Sequence, residues 1–134
     1  MGLSGPLGAG KTVFAKGLAE GLGIDPASVS SPTFTIANEY DAPGGQQLAH
    51  VDFYRIGSVG ELEATGFADL LLAESLVVIE WSERFPQALP ADRLEIRILR
   101  PDPEGTPTAR ALSAVALGAT AEAALARWCE ALAP

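Results

Sequence analysis

The spacing of hydrophobic positions predicts a helix, a pair of strands and a further helical region in the first half of the chain. Residues 11–22 have helical spacing and end at a pair of glycines. The apolar stripe of this helix is Val13, Phe14, Leu18 and Leu22. Residues 33–40 and 47–53 are rich in strand-forming types and flank a Pro-Gly-Gly turn, which predicts an antiparallel hairpin. Residues 58–73 then predict one or two short helices, broken near Gly66.

The second half contains the segment with the strongest burial signal. Residues 75–80 include a continuous apolar run that ends in Glu80, which favours a central parallel strand covered on both faces. Residues 93–99 alternate between apolar and charged types, as in a half-exposed strand. Residues 110–117 predict a last strand. These elements together predict one α/β domain over residues 1–134.

A closing helix is predicted after this strand, with Thr120 as its N-cap. Its apolar stripe is Ala121, Ala124, Leu125, Trp128, Cys129 and Leu132. The stripe predicts that Cys129 packs in the core as a small hydrophobic residue.

Composition narrows the range of functions. The 134 residues carry nine basic and 17 acidic side chains, for a formal charge of −8. Direct binding to nucleic acid is therefore not expected, because that affinity comes mainly from basic patches. The single cysteine, Cys129, excludes a disulfide framework and a cysteine-based zinc site. Without a long apolar run or a recognisable signal peptide, we expect a cytoplasmic protein.

The segment from Gly5 to Thr12 carries the clearest chemical signal. It reads GPLGAGKT and fits the phosphate-binding pattern G-x-x-x-x-G-K-[ST]. Glycines allow the loop to curl so that backbone N–H groups converge on a phosphate, and the following helix N-terminus favours the anion. In this pattern Lys11 reaches the β- and γ-phosphates and the Thr12 hydroxyl holds Mg²⁺.

Two acids are candidates to complete a nucleotide site. Glu80 lies at the carboxyl end of the predicted central strand, where ligands of α/β sheets bind. It could hold Mg²⁺ or orient the attacking water, and the alternative is an ordinary acid at a strand end. Asp52 could complete the metal shell or polarise water, or serve only in a turn. His50, the only histidine, is interpreted as structural.

A hydroxyl-rich segment forms the third candidate element. Ser31, Thr33 and Thr35 could close over the γ-phosphate as switch loops do, although the threonines also simply favour a strand. Arg55 could neutralise charge in the transition state or pair with Glu61 or Glu63. The sequence leaves both pairs of alternatives open.

Six segments in this order resemble the bacterial TsaE family. They are GPLGAGKT at 5–12, SPTFT at 31–35, NEY at 38–40, HVDFYR at 50–55, ELE at 61–63 and IEW at 79–81. The resemblance implies a P-loop NTPase fold whose mixed central sheet contains an antiparallel hairpin and is flanked by helices.

The resemblance also implies an activity. Members of the family bind ATP and Mg²⁺, hydrolyse ATP weakly, and work with the TsaB–TsaD pair, which threonylcarbamoylates adenosine 37 of ANN-decoding tRNAs. tRNA is then met only through the partner complex. The alternatives are a P-loop kinase of small molecules and a non-catalytic, nucleotide-gated binding module.

Matching of motifs transfers the family's site residues to this chain. The nucleotide-binding set is Leu7, Gly8, Ala9, Gly10, Lys11, Thr12, Thr33, Trp81 and Ala109. The catalytic set is Lys11, Asp52, Glu80 and Thr35, and the magnesium ligands are Thr12 and Glu80.

The chain departs from the family pattern at its start. Only four residues precede Gly5, whereas the resemblance implies an upstream helix and a complete first strand. We therefore expect either a very short first strand or a start placed too far downstream, with weaker pairing at the centre of the sheet.

Overall fold

The computed structural model describes residues 1–32, 34–102 and 104–134. The strands are β1 (Gly2–Ser4), β2 (Ala37–Asp41), β3 (Gln47–Asp52), β4 (Ser75–Glu80), β5 (Arg93–Leu99) and β6 (Ala111–Leu117). The helices are α1 (Lys11–Gly21), α2 (Val59–Ala64), α3 (Phe67–Leu72) and α4 (Ala119–Leu132). Single 3₁₀ turns occur at Pro26–Ser28, Ser82–Arg84 and Pro86–Ala88. Within the described ranges, no helix is long and apolar enough to cross a membrane.

The six strands form one mixed sheet in the order β2-β3-β4-β1-β5-β6. The four inner strands are parallel to one another, and each edge strand pairs antiparallel with the inner strand beside it. This arrangement confirms the predicted α/β class, the hairpin of β2 and β3, and the parallel β4. Parallel strands bring their carboxyl ends to one edge of the sheet, so the segments that follow β1, β3 and β4 meet there.

The first strand is short but lies near the centre of the sheet. Gly2 and Leu3 pair with Ile79 and Glu80 of β4 on one side, and residues 2–4 pair with residues 95–97 of β5 on the other. Leu3 is fully buried. Residues 2–4 therefore pair with β4 and β5 and lead directly into the glycine-rich segment.

Helices cover both faces of the sheet. On one face α1 and α4 pack over Leu3, Val78 and Ile96. On the other face the core contains Phe53, whose ring meets those of Phe67 and Phe85 edge-on at centroid distances of 5.1 and 5.7 Å. The predicted break of the helical region at Gly66 is confirmed, since this residue separates α2 from α3 with a φ of +79°.

Some predicted boundaries and faces were wrong. Val13 is 72% exposed, because α1 turns its small residues Ala15 and Ala19 towards the sheet. Cys129 is exposed, since α4 packs on the sheet edge along a stripe narrower than the sequence pattern suggests. Strand β2 begins only at Ala37.

The start of α4 also differs from the prediction. The N-cap is Gly118, and the side chain that accepts from the first turn belongs to Asp92, in the loop before β5. The two Asp92 oxygens accept from the backbone N–H groups of Thr120 and Ala121 at 3.1 and 2.9 Å. Because the capping side chain comes from 28 residues away, the sequence around Thr120 contains no signal of it.

We predict that Asp92→Ala lowers the urea midpoint of unfolding, and that Asp92→Asn, which keeps one acceptor oxygen, lowers it less. Hydrogen bonds from the Thr120 side chain and from the backbone of Ala121 and Thr120 hold the pKa of Asp92 below its usual value. Because the pKa of Asp92 is lower in the folded state, its ionised carboxylate stabilises the fold above the ordinary aspartate pKa. This contribution is lost as the pH falls through the lowered value. The difference between wild type and Asp92→Ala therefore shrinks in acid. Glu74→Ala, an exposed acid outside the cap, is the control; an equal loss there contradicts the capping role.

Candidate functional site

The glycine-rich segment connects the central strand β1 to the N-terminus of α1. Together with the ends of β3 and β4 it encloses a cavity of about 380 Å³. The cavity is lined by Leu7, Gly8, Gly10, Lys11, Thr12, Val13, Ser31, Asp52, Tyr54, Glu80, Trp81 and Arg110. Most of the loop and both candidate acids are thus brought to one place.

Two glycines permit the course of the loop. Gly5 has a φ of +142°, and a Cβ there would lie 2.2 Å from the carbonyl oxygen of Ile98. Gly10 has a φ of +110° and is the N-cap of α1. Both positions therefore exclude ordinary side chains. The first N–H groups of α1 have no acceptor within the helix and remain available at this end of the cavity.

Lys11 is buried and folded back over the loop. Its Nζ donates to the carbonyl oxygens of Gly5 and Pro6 at 2.6 and 2.9 Å. It also lies 3.9 Å from the centroid of the Trp81 ring, a cation–π distance. Burial lowers the pKa of Lys11, and the nearby carboxylates Glu83, Glu80 and Asp52 oppose that shift.

Trp81 owes its position to an unusual backbone conformation. Its φ is +58°, and among the described residues it is the only non-glycine residue with a positive φ. This conformation is uncommon for a bulky side chain and is typically retained at functional sites. The ring packs against Tyr54 at a centroid distance of 5.0 Å as well as against Lys11.

Glu80 is the buried charge at the centre of the site. Its Oε1 accepts from the Thr12 hydroxyl at 2.8 Å, and its Oε2 accepts from the Ser31 hydroxyl at 3.2 Å. The two hydroxyl oxygens are themselves 2.8 Å apart. Helix α1, the segment after it and strand β4 are thereby connected through one carboxylate.

His50 completes the shell around this carboxylate. Its Nε2 lies 2.7 Å from Oε2 of Glu80, and the imidazole is fully buried. A carboxylate only accepts, so Nε2 carries the proton of this bond. Nδ1 has no hydrogen-bond partner among the described residues. Burial alone would raise the pKa of Glu80, but the hydrogen bonds from His50, Thr12 and Ser31 outweigh it and hold the pKa below its ordinary value.

Asp52 lies beside Glu80 on the neighbouring strand, and its pKa is shifted in the opposite direction. The two acids are register partners of β3 and β4. Asp52 Oδ1 accepts from the backbone N–H of Tyr54 at 2.8 Å. Burial raises the pKa of Asp52, and the negative charge of Glu80 raises it further, against the effect of the Tyr54 bond. The environments of the two carboxylates therefore separate their pKa values, as is typical of catalytic acid pairs.

The donor set suits a hard divalent cation. The Thr12 hydroxyl and the ionised Glu80 offer oxygen ligands within hydrogen-bond distance of each other. No group of three or more His, Cys, Asp and Glu side chains with metal-binding geometry occurs in the part of the chain that the structure describes. Mg²⁺ typically takes one or two protein ligands and completes its shell with phosphate and water, so these residues fit it.

Three predicted site residues lie elsewhere. Thr35 lines a neighbouring cavity, and its hydroxyl donates to the carbonyl of Ala37 at 3.0 Å. Ala109 lies in the turn before β6, where its N–H donates to Thr106 and its carbonyl accepts from Arg110. Ala9, within the loop, is fully buried and does not line the cavity. Thr33 lies outside the described residues.

The structure adds residues that the sequence did not single out. Arg110, which directly precedes β6, reaches the loop, and its Nε donates to the carbonyl of Ala9 at 2.7 Å. Tyr54 lies over Trp81. His50 was predicted to be structural, but its contact with Glu80 was not foreseen. A possible signal was that His50 and Glu80 each lie at or near the end of a buried strand.

A parallel-centred sheet, with a glycine-rich loop running from its central strand into a helix, is the architecture of P-loop proteins. A family profile described as "Threonylcarbamoyl adenosine biosynthesis protein TsaE" matches residues 1–109. The chain belongs to the TsaE family. This membership agrees with the resemblance carried by the six sequence segments.

Individual relatives support the same family. Proteins named "tRNA threonylcarbamoyladenosine biosynthesis protein TsaE" from Streptomyces coelicolor and Bacillus subtilis are 48% and 45% identical over 100 and 98 residues. Each alignment covers 73% of this chain and 66% or 60% of the relative, so the chain spans about three-fifths to two-thirds of these curated relatives. The crystal structure of YdiB from Bacillus subtilis superposes with a TM-score of 0.73 at 32% identity, covering 96% of this chain and 75% of YdiB.

We predict that His50→Leu destabilises the fold by about 2–4 kcal/mol, because it leaves a buried carboxylate without one of its donors. His50→Gln, whose amide can reach a similar position, should recover part of this loss. Urea unfolding at neutral pH measures both. Equal stability of the leucine and glutamine variants would show that the hydrogen bond to Glu80 contributes little and that only packing matters.

Asp52→Asn is expected to stabilise the fold at neutral pH. Because the folded-state pKa of Asp52 is raised, its ionised form costs stability above the ordinary aspartate pKa. Asparagine removes that charge while keeping an acceptor for the Tyr54 N–H. Thermal unfolding at pH 7 should show a higher midpoint, and the difference should vanish as the pH falls below the ordinary pKa. A lower midpoint at pH 7 contradicts the electrostatic assignment; Asp69→Asn, an exposed acid, is the control.

Proposed function

We propose that this chain binds ATP with Mg²⁺ and hydrolyses it slowly, as an accessory ATPase of tRNA threonylcarbamoylation. The observation that carries the proposal is the contact between the Thr12 hydroxyl and Glu80 at the mouth of the glycine-rich loop. It brings the two expected magnesium ligands, from α1 and β4, within 2.8 Å of each other.

Binding of the phosphates follows from the loop and the helix. The free N–H groups at the start of α1 and the positive end of its dipole favour an anion. Lys11 is already held in the cavity by two carbonyl oxygens and the Trp81 ring, and it can exchange these neutral acceptors for phosphate oxygens. The gain in charge-assisted hydrogen bonds favours that exchange. The nucleotide-binding set Leu7, Gly8, Ala9, Gly10, Lys11, Thr12, Thr33, Trp81 and Ala109 remains part of this proposal.

Glu80 and Asp52 have different roles in this proposal. Glu80 is ionised at neutral pH and, with Thr12, would hold Mg²⁺, which neutralises charge on the phosphates. Asp52 has the more basic carboxylate of the two and lines the same cavity, so it is the better group to orient water or accept its proton. Thr35 lies on the adjacent segment and would act only if that segment closes over the nucleotide.

The cellular role comes from the family. The named relatives belong to tRNA threonylcarbamoyladenosine biosynthesis. We propose the TsaB–TsaD pair as protein partners and the cytoplasm as the compartment. The net charge of −8 supports contact with tRNA only through those partners.

Lys11→Ala should weaken binding of ATP by roughly 30- to 100-fold, about 2–3 kcal/mol for a lost charge-assisted bond. Glu80→Gln should leave the affinity for Mg²⁺-free ATP within a factor of about three. Because the charge of the metal ligand is lost, Mg²⁺ should no longer strengthen ATP binding in this variant, and ATP turnover should be abolished. Tryptophan fluorescence reports binding, since Trp81 touches Lys11. Phosphate release reports turnover.

Lys16→Ala is the matched control, because Lys16 is the other lysine of the chain and lies on the same helix outside the cavity. Full turnover in Lys11→Ala or Glu80→Gln contradicts the site. Transfer of phosphate to an added metabolite without any partner would instead identify a kinase.

A further inference from the structure

Among the described residues that line the cavity, Arg110 is the one basic side chain that the proposed chemistry does not use. It follows the loop between β5 and β6 and lies on the cavity wall together with Lys11. Its guanidinium makes three hydrogen bonds to carbonyl oxygens: Nε to Ala9 at 2.7 Å, and Nη1 to Pro107 and to Ala109 at 2.8 Å each. Such a set fixes the plane of the guanidinium.

The bond to Ala9 bears directly on the phosphate loop. The peptide between Ala9 and Gly10 is trans, so the Ala9 carbonyl and the Gly10 N–H point in opposite directions. An arginine that holds the carbonyl therefore also sets the direction of the N–H. Gly10, with its φ of +110° and no Cβ, has little other restraint on this peptide.

Two other loop carbonyls, those of Gly5 and Pro6, also accept hydrogen bonds. Lys11 binds the carbonyls of Gly5 and Pro6, and the Ala9 N–H donates to Pro6 at 3.1 Å. In the proposed nucleotide-bound state Lys11 would leave these carbonyls for the phosphates, whereas the Arg110 bond comes from the segment before β6 and does not depend on Lys11. Arg110 would then still restrain the loop.

We propose that Arg110 is a positioning residue of the phosphate loop, which holds the Ala9–Gly10 peptide so that the Gly10 N–H faces the bound phosphate. The inference rests on the proposed nucleotide site and extends it to a residue 101 positions away from Ala9. It assigns Arg110 to the phosphates of the ligand and not to the nucleoside.

Calorimetric titrations with Mg²⁺–pyrophosphate and Mg²⁺–ADP distinguish these roles. Arg110→Ala should weaken both ligands by the same factor, about tenfold for one misdirected charge-assisted bond. Arg110→Lys keeps the charge but not the fork of donors, and should recover only part of the loss. Arg127→Ala removes an exposed arginine of α4 and controls for net charge.

The Gly10 amide gives a second readout that general destabilisation does not move. With ¹⁵N-glycine and carbonyl-¹³C-alanine labelling, a carbonyl-to-amide correlation selects the Gly10 signal, because Ala9–Gly10 is the only Ala-Gly pair in the sequence. Saturating pyrophosphate should shift this amide proton downfield in the wild type and much less in Arg110→Ala or Arg110→Lys.

The outcomes separate this inference from the function on which it rests. A wild type that binds neither ligand overturns the proposed site and the inference with it. A wild type that binds both, with Arg110→Ala unchanged, overturns the inference alone. Loss of ADP with pyrophosphate unaffected assigns Arg110 to the nucleoside and also overturns it, as does an equal loss in Arg127→Ala. If Arg110→Ala does not fold, Arg110→Lys decides by the same criteria.

Discussion

The candidate site depends on one buried negative charge, the carboxylate of Glu80. A charge removed from water is costly unless hydrogen bonds compensate it, and here the compensation comes from His50, Thr12 and Ser31. These donors belong to three separate segments of the chain. Satisfying the charge therefore fixes β3, α1 and the segment after α1 in relation to β4, and the same contacts place the Thr12 hydroxyl beside an ionised acid.

The parallel centre of the sheet makes this convergence possible. Strands β1, β3 and β4 all end at one edge, so the glycine-rich loop, Asp52 and Glu80 emerge side by side. Asp52 and Glu80 are register partners on neighbouring strands, so two ionised carboxylates in the same environment would repel each other there. The donors around Glu80 favour its charge, whereas burial of Asp52 beside that charge disfavours a second one. This difference in pKa is the basis of the separate roles proposed for the two carboxylates.

Lys11 and Arg110 illustrate two ways of shaping a phosphate loop. The lysine comes from the loop itself and is held by carbonyl oxygens that it can leave when an anion arrives. The arginine comes from the segment before β6, 101 residues further along the chain, and donates to the carbonyl of Ala9. The proposed roles follow from this difference, with Lys11 moving onto the phosphates and Arg110 keeping the backbone in place.

Sequence alone determined the features that arise from local chemistry. The glycine spacing of the loop, the buried run that ends at Glu80, the hairpin of β2 and β3, and the break at Gly66 each follow from neighbouring residues, and the structure contains all four. Only the tertiary structure decided which contacts join distant segments. The pairing of His50 with Glu80, the cap of α4 by Asp92 and the bond from Arg110 to Ala9 span 30, 28 and 101 residues. The exposure of Val13 and Cys129 depended likewise on how much of each helix the sheet covers. A periodic pattern specifies which face of a helix is apolar, but the width of the buried stripe is set by the element packed against it.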